Sequence, residues 1–158
     1  MSNLIPPRRR VIAVRRQFVI VASQFNAEYV QGLIDHTTSE LRKLSPHTTV
    51  TMHQVPGAFE IPIVVRELAV QKKADAIIAI GVILQGKTNH AENLSRSVTD
   101  ALQRIAVDHA VPVINVVLSF DSEAQARERC LEDKINRGTE AARAALEITN
   151  VMADLRAK

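Results

Sequence analysis

The segment ADAIIAIGVILQGKTNH (residues 74–90) carries the strongest structural signal in this chain. Its first part, Ala74 to Leu84, is almost continuously apolar, which is typical of a strand buried on both faces of a parallel sheet. The polar segment Gly86 to His90 follows at once. The stretch therefore predicts a central strand that ends in a polar turn, where chemistry can take place.

The segment Gly81 to Thr88 also fits the nucleotide-binding pattern GxxxxGK[ST], so a small NTPase is one alternative. That loop needs flexible residues between its glycines, because successive N–H groups must curl around phosphates. Val82, Ile83 and Leu84 are instead stiff and apolar, and they continue the preceding run. The downstream run Val111 to Asp121 ends in an acid, as a Walker B strand would, but no guanine-reading signal accompanies it. The pattern favours the strand over the nucleotide loop.

Length and composition indicate one globular domain. The 158 residues are 46% apolar and 23% charged, and no run approaches the roughly 20 apolar residues of a membrane span. The single Cys130 cannot form an intrachain disulfide, and no apolar signal-peptide region follows the first basic residues. We therefore expect a cytoplasmic protein.

Five arginines lie between Arg8 and Arg16, although the formal net charge is only +3. One tyrosine and four phenylalanines leave few rings for stacking on bases, and no nucleic-acid-binding motif accompanies the cluster. We expect residues 1–17 to form a basic N-terminal arm and residues 18–158 to form a single α/β domain. Neither nucleic acid nor a membrane is an expected partner.

Strand and helix patterns alternate along the domain. The predicted strands are Phe18 to Ala22, Thr48 to Val55, Ala74 to Leu84 and Val111 to Leu118. Helical periodicity follows each strand, and the last helical stretch, Glu123 to Arg156, has a break around Asn136 to Gly138. This order predicts an α/β protein, a three-layer α/β/α sandwich with a four-stranded parallel sheet of the flavodoxin-like type.

In an open parallel sheet, ligands bind at the carboxyl ends of the strands. Four segments are expected at that edge: Ser23 to Asn26, Gly57 to Glu60, Gly81 to His90, and Ser119 to Asp121. Each contains groups that a small polar substrate could use.

Four motifs resemble one family. SQFN (residues 23–26), VPGAFEIP (residues 55–62), GVILQGKTNH (residues 81–90) and a late ER...NRG pattern around Arg129 and Gly138 are similar to 6,7-dimethyl-8-ribityllumazine synthases in order and spacing over nearly the whole chain. The resemblance implies the condensation of 5-amino-6-(D-ribitylamino)uracil with 3,4-dihydroxy-2-butanone 4-phosphate in riboflavin biosynthesis. It also implies that no metal or organic cofactor takes part.

The resemblance further implies three sets of site residues. His90 would be catalytic. The residues expected to bind ribitylaminouracil are Phe25, Asn26, Ala58, Phe59, Glu60, Val82, Ile83, Leu84, Asn115 and Arg137. The residues expected to bind the phosphate of the butanone are Gly86, Lys87, Thr88 and Arg129.

The chemistry of these residues fits the reaction. The ring of Phe25 could stack on a pyrimidine or pack in the core. Glu60 could accept hydrogen bonds from sugar hydroxyls or place a charge at a helix start. Arg129 could grip a phosphate bidentately or lie on a helix surface. The imidazole of His90 is the kind of side chain most often used for proton transfer, although a lone histidine at a helix start is often structural.

Three positions depart from the pattern of the family. Lys87 stands where a small or acidic residue is frequent, Asn115 where many members carry an aromatic, and Arg137 where a lysine is frequent. Each change leaves the reaction feasible but puts substrate affinity in question, since lysine and arginine differ in hydrogen-bond geometry.

Members of the family assemble as pentamers, some of which pack into decamers or 60-subunit shells, with each active site between subunits. The resemblance implies that Phe25 and residues 58–60 and 82–90 come from one subunit, while Asn115, Arg129 and Arg137 come from its neighbour. The sequence leaves pentamer, decamer and shell open.

Two other functions remain as alternatives to the synthase. A flavin- or lumazine-binding relative without synthase activity would need neither His90 nor Arg129, and both are present. A receiver-type signalling domain would need clustered acids after the first strand, where this chain has SQFN.

Overall fold

The computed structural model describes residues 3–5, 7 and 14–157, so most of the predicted arm lies outside the described residues. Helices follow strands in the predicted order. The elements are β1 (Gln17–Ser23), α1 (Ala27–Leu44), β2 (Thr49–Val55), one 3-10 turn (Ala58–Glu60), α2 (Ile61–Gln71), β3 (Ala76–Leu84), α3 (His90–His109), β4 (Val113–Phe120), α4 (Glu123–Cys130) and α5 (Arg137–Arg156). None of the described helices is long and apolar enough to cross a membrane.

The four strands form one parallel sheet in the order β2-β1-β3-β4. Pairing between β1 and β3 ends at Ala22 and Ile80, whereas pairing between β3 and β4 continues to Leu84 and Phe120. β3 therefore runs beyond the end of β1, and residues 82–84 lack a strand neighbour on that side. The parallel sheet of the sequence analysis is confirmed.

Helices cover both faces of the sheet, because alternate residues of each strand point to opposite sides. Phe18 and Ile20 of β1 pack against α1, α4 and α5, and Val21 of the same strand packs against α2 and α3. β3 is buried on both faces, as its continuous apolar sequence predicts. The three-layer α/β/α architecture is confirmed.

Two glycines allow α1 to lie very close to the late helices. A Cβ atom on Gly138 would lie 2.5 Å from the carbonyl oxygen of Leu33, and one on Gly32 would lie 2.5 Å from that of Cys130. The Thr37 hydroxyl donates to the Gly138 carbonyl at 3.1 Å. These backbone contacts fix where α4 and α5 place their arginines.

The break in the last helical stretch starts earlier than the sequence indicated. α4 ends at Cys130 and α5 begins at Arg137, so the interruption is Leu131 to Asn136, and Gly138 lies inside the first turn of α5. The Asn136 side chain caps α5 by accepting from the backbone N–H of Gly138 at 2.8 Å and of Thr139 at 3.3 Å. Gly138 is there for close packing and does not interrupt the helix.

Candidate active site

A cavity of about 390 Å³ opens at the carboxyl ends of β1 and β3, where the strand order reverses direction. We call it the β1–β3 cavity. It is lined by Ser23, Phe25, Asn26, Gly57, Ala58, Phe59, Glu60, Val82, Ile83, Leu84, His90, Ala91 and Leu94. Nine of the predicted site residues therefore meet at one place.

Two aromatic rings stand at the rim of the cavity. Phe25 is 70% exposed and Phe59 is 68% exposed, so neither packs in the core. The Phe25 ring lies against the turn at Gly57, where an added Cβ atom would approach its Cδ2 atom to 3.6 Å. An exposed ring braced in this way offers a flat surface for stacking.

Asn26 connects the end of β1 to β3. Its backbone adopts the left-handed conformation (φ 54°, ψ 48°), which asparagine tolerates better than most residues. Its side-chain Nδ2 donates to the Val82 carbonyl oxygen at 2.7 Å. The amide nitrogen is thus occupied within the chain, and Oδ1 is the atom that could accept from a ligand.

The backbone of β3 contributes polar groups to the cavity. The Gln85 N–H donates to the Phe120 carbonyl of β4 at 2.9 Å, so the groups of Val82 and Leu84 point the other way, because alternate residues of a strand face alternate neighbours. On that side the pairing with β1 ends at Ile80. The N–H of Val82 and both backbone groups of Leu84 therefore face the cavity without a strand partner.

Glu60 braces the turn that it belongs to. Its Oε2 atom accepts from the Gly57 N–H at 2.9 Å, and its own N–H donates to the Gly57 carbonyl at 3.2 Å. The side chain is half-buried, so the second carboxylate oxygen can still meet a ligand. A role in the turn and a role in binding are therefore compatible.

His90 is the first residue of α3 and is exposed, and its ring makes no hydrogen bond to any described residue. The loop before it, Gly86 to Asn89, is also exposed. Asn89 makes no side-chain capping bond, so the first N–H groups of α3 have no side-chain acceptor. Such a helix start, beside the ammonium of Lys87 and the hydroxyl of Thr88, suits an anion.

Three predicted site residues lie elsewhere in the chain. Asn115 and Arg137 border a second cavity of about 310 Å³ at the outer edge of β4. Asn115 accepts from the Val117 N–H at 3.0 Å and reaches Thr99 Oγ1 at 3.4 Å. Arg137 is ion-paired with Glu140.

Arg129 borders neither cavity. Its side chain is only 16% exposed, its Nη2 donates to Asn3 Oδ1 at 3.2 Å, and its Nε lies 3.5 Å from Glu128 Oε2. The buried Nη1 has no hydrogen-bond partner among the described residues. Nη1 therefore lacks a partner among the described residues but is closed off from solvent, so an anion could reach it only after the side chain moves.

Some cavity residues were absent from the predicted set: Ser23, Gly57, Ala91 and Leu94. Strand alternation could have identified Ser23, which lies two residues after the inward-facing Val21. Helical spacing from His90 could have identified Leu94, at four residues.

The nucleotide-loop alternative is wrong. Gly81 to Leu84 belong to β3 and pair with β4, so no loop connects the two glycines of the pattern.

Comparison with known proteins identifies the same family that the sequence motifs resemble. The sequence model of the 6,7-dimethyl-8-ribityllumazine synthase family matches residues 15–153, which include all the predicted site residues. A 6,7-dimethyl-8-ribityllumazine synthase from Azoarcus sp. (strain BH72) is 38% identical over 135 residues, covering 84% of this chain and 83% of the relative.

Proposed function

The chain belongs to the 6,7-dimethyl-8-ribityllumazine synthase family, and from that premise we propose how its residues carry out the reaction. The protein is a transferase of riboflavin biosynthesis. It condenses 5-amino-6-(D-ribitylamino)uracil with 3,4-dihydroxy-2-butanone 4-phosphate to 6,7-dimethyl-8-ribityllumazine, releasing phosphate and water. The roles of individual residues, the assembly and the cytoplasmic location are the parts that we propose.

The pyrimidine binds in the β1–β3 cavity. The observation that carries this assignment is the convergence there of an exposed ring, Phe25, and the partnerless backbone groups of Leu84. The ring would stack on Phe25, and its alternating donors and acceptors would pair with the strand edge. The ribityl hydroxyls would reach the second oxygen of Glu60 and the backbone of Ala58 and Phe59.

The butanone phosphate binds at the start of α3. Gly86, Lys87 and Thr88 surround the uncapped N–H groups of this helix, which favour an anion. Arg129 of a neighbouring subunit would complete the site by turning its guanidinium, which is 16% exposed, toward the phosphate.

His90 moves protons between the two substrates. The 5-amino group attacks the ketone carbon, and loss of water gives an imine. Removal of a proton from the adjacent carbon expels phosphate and leaves an enol, which takes up a proton to become a ketone. The ribityl-substituted amine then attacks this carbonyl, and a second water leaves as the ring closes. An exposed imidazole at the mouth of the cavity suits these transfers, while most of the acceleration comes from holding the substrates together.

We propose a homo-oligomer, a pentamer or a multiple of pentamers, in which Asn115, Arg129 and Arg137 face the cavity of the next subunit. One feature supports it: the three residues lie outside the β1–β3 cavity of their own chain.

The test mixes the purified protein with both substrates and follows lumazine absorbance and phosphate release, which should rise in equal amounts. Arg129→Ala should raise the KM for the butanone phosphate about 100-fold or more, because a charge-assisted contact to phosphate is lost. The matched control is Arg127→Ala on the same helix, whose exposed side chain only reaches Glu28 at 3.4 Å and should leave KM within about twofold. Binding of the pyrimidine without turnover would instead support the lumazine-binding alternative.

A further inference from the structure

Ser23 is the last residue of β1 and lies at the floor of the β1–β3 cavity. Its side chain is 3% exposed, and its hydroxyl has no hydrogen-bond partner among the described residues. The Oγ atom lies over Gly81, where an added Cβ atom would approach it to 3.2 Å. The Ser23 hydroxyl thus lies in a confined space, which a side chain larger than glycine at position 81 would fill.

Two hydroxyls in the described part of the chain are buried without a hydrogen-bond partner, those of Ser23 and Thr48, and of these only Ser23 lines the β1–β3 cavity. Four serine and threonine residues are buried as a whole in the described part of the chain, and the three besides Ser23 each donate to a backbone carbonyl. Those three are Thr37 to Gly138, Ser45 to Val14, and Thr149 to Leu146. A buried hydroxyl without a partner destabilises the folded state, and an alanine would avoid that cost. The position therefore indicates a partner that is absent from the free chain.

The direction of Ser23 indicates where that partner lies. Strand alternation puts its side chain in the same layer as Val21, Gly81 and Ile83, on the side of the sheet covered by α2 and α3. Around it are apolar groups, including Ile61 and Val117, which lie 3.3 and 3.4 Å from the same point over Gly81. Among such neighbours, a neutral hydroxyl suits a neutral acceptor better than a phosphate.

We infer that Ser23 binds substrate directly, donating its hydroxyl hydrogen to a ring carbonyl oxygen of the pyrimidine. This rests on the proposed placement of ribitylaminouracil in the β1–β3 cavity. The ring edge would lie along Val82 and Leu84, so a carbonyl at its inner side faces the end of β1. Ser23 then distinguishes the pyrimidinedione from rings that lack an acceptor there.

The experiment compares Ser23→Ala with the wild type in three measurements: the fluorescence-detected affinity for the lumazine product, the KM of each substrate, and the thermal midpoint without ligand. We expect affinity for the product to fall about tenfold and the KM of ribitylaminouracil to rise by a similar factor, since one hydrogen bond is lost. The KM of the butanone phosphate should stay within about twofold. The ligand-free thermal midpoint should stay the same or rise, because no existing bond is broken.

Two further variants make the result decisive. Ser45→Ala removes a buried hydroxyl that already has a partner, so it should lower the thermal midpoint without changing affinity. Ser23→Cys fills the space but is a weak donor, so it should lose affinity as alanine does. If Ser23→Ala lowers the midpoint and leaves affinity unchanged, or if Ser23→Cys binds as the wild type does, the inference is overturned. A wild-type protein that makes no lumazine would instead refute the proposed function.

Discussion

The proposed active site has two parts, the β1–β3 cavity and the residues Asn115 and Arg137 on the outer side of the molecule. A single chain forms the first part by itself but not the second. In the β1–β3 cavity, Phe25, His90 and the backbone of Leu84 present surfaces and atoms that no described residue occupies. On the outer side of the molecule, Asn115 is bonded to Val117 and Arg137 is paired with Glu140. A single chain thus builds the cavity proposed for the pyrimidine but holds the remaining predicted site residues elsewhere. The strand ends of one sheet can form a cavity within a single chain. Residues on the edge strand β4 can take part in a site only if another subunit packs against that edge.

The largest effect is expected when inactive variants are mixed, which tests whether the two parts of the site come from different subunits. His90→Ala and Arg129→Ala should each lower activity about 100-fold or more, because one loses proton transfer and the other loses the phosphate contact. If the two parts come from different subunits, co-assembled mixtures of the variants should recover about a quarter of wild-type activity, since random pairing restores one site in about four.

The matched control mixes His90→Ala with Phe25→Ala, two changes on the same side of the site. No pairing of these subunits gives an intact cavity, so activity should stay at the level of the single variants. Equal recovery in both mixtures, or none in the first, would contradict a site shared between subunits.

A smaller effect is expected for Glu60→Gln. The glutamine can still accept from the Gly57 N–H, so the turn and the thermal midpoint should be preserved. Affinity for ribitylaminouracil should fall about tenfold, because hydrogen bonds to a charged acceptor are stronger than those to a neutral one. Calorimetric titration measures this, with Glu67→Gln on the exposed side of α2 as the control. A large loss of stability with unchanged affinity would show that Glu60 serves the turn alone.

The smallest effect is expected for Asn115→Ala, on the outer side of the molecule. Its loss leaves the Val117 N–H without its side-chain acceptor, so the free energy of unfolding should fall by about 0.5 to 1.5 kcal/mol. Affinity for the product should change less than about threefold. Urea unfolding and product titration check this, with the exposed Asn93→Ala as the control. A tenfold loss of affinity would mean that Asn115 leaves its own chain's contacts to bind substrate.

The sequence predicted the layers of the fold well, because the apolar run Ala74 to Leu84 indicated a buried strand, observed as Ala76–Leu84, and helical spacing followed each strand. It misplaced the late break because Gly138 was taken for an interruption, whereas its role is the close approach to Leu33. That contact joins residues about a hundred positions apart and has no local pattern.

The sequence predicted part of the site, and the position of each residue relative to the strand ends explains which part. Phe25 and His90 follow strands directly, so the edge rule locates them. Sequence could not decide whether Phe25 packs in the core, or that the Asn26 amide would be taken up by the Val82 carbonyl. Both depend on where β1 stops relative to β3, which is a matter of strand register. Ser23 lay in a segment expected at this edge but received no binding role, because a serine at the end of a strand is ordinary and its missing partner is visible only in the structure.

Cys130, at the end of α4 and fully buried, gives the protein a practical property. Burial raises the pKa of its thiol to about 12, so at neutral pH the native side chain is both protonated and shielded from reagents. The described part of the folded chain therefore does not react with maleimides. A cysteine introduced beside Asn115 or on α3 would be the one thiol to take up a spectroscopic label, and distances between labelled copies could then be read without first removing the native sulfur.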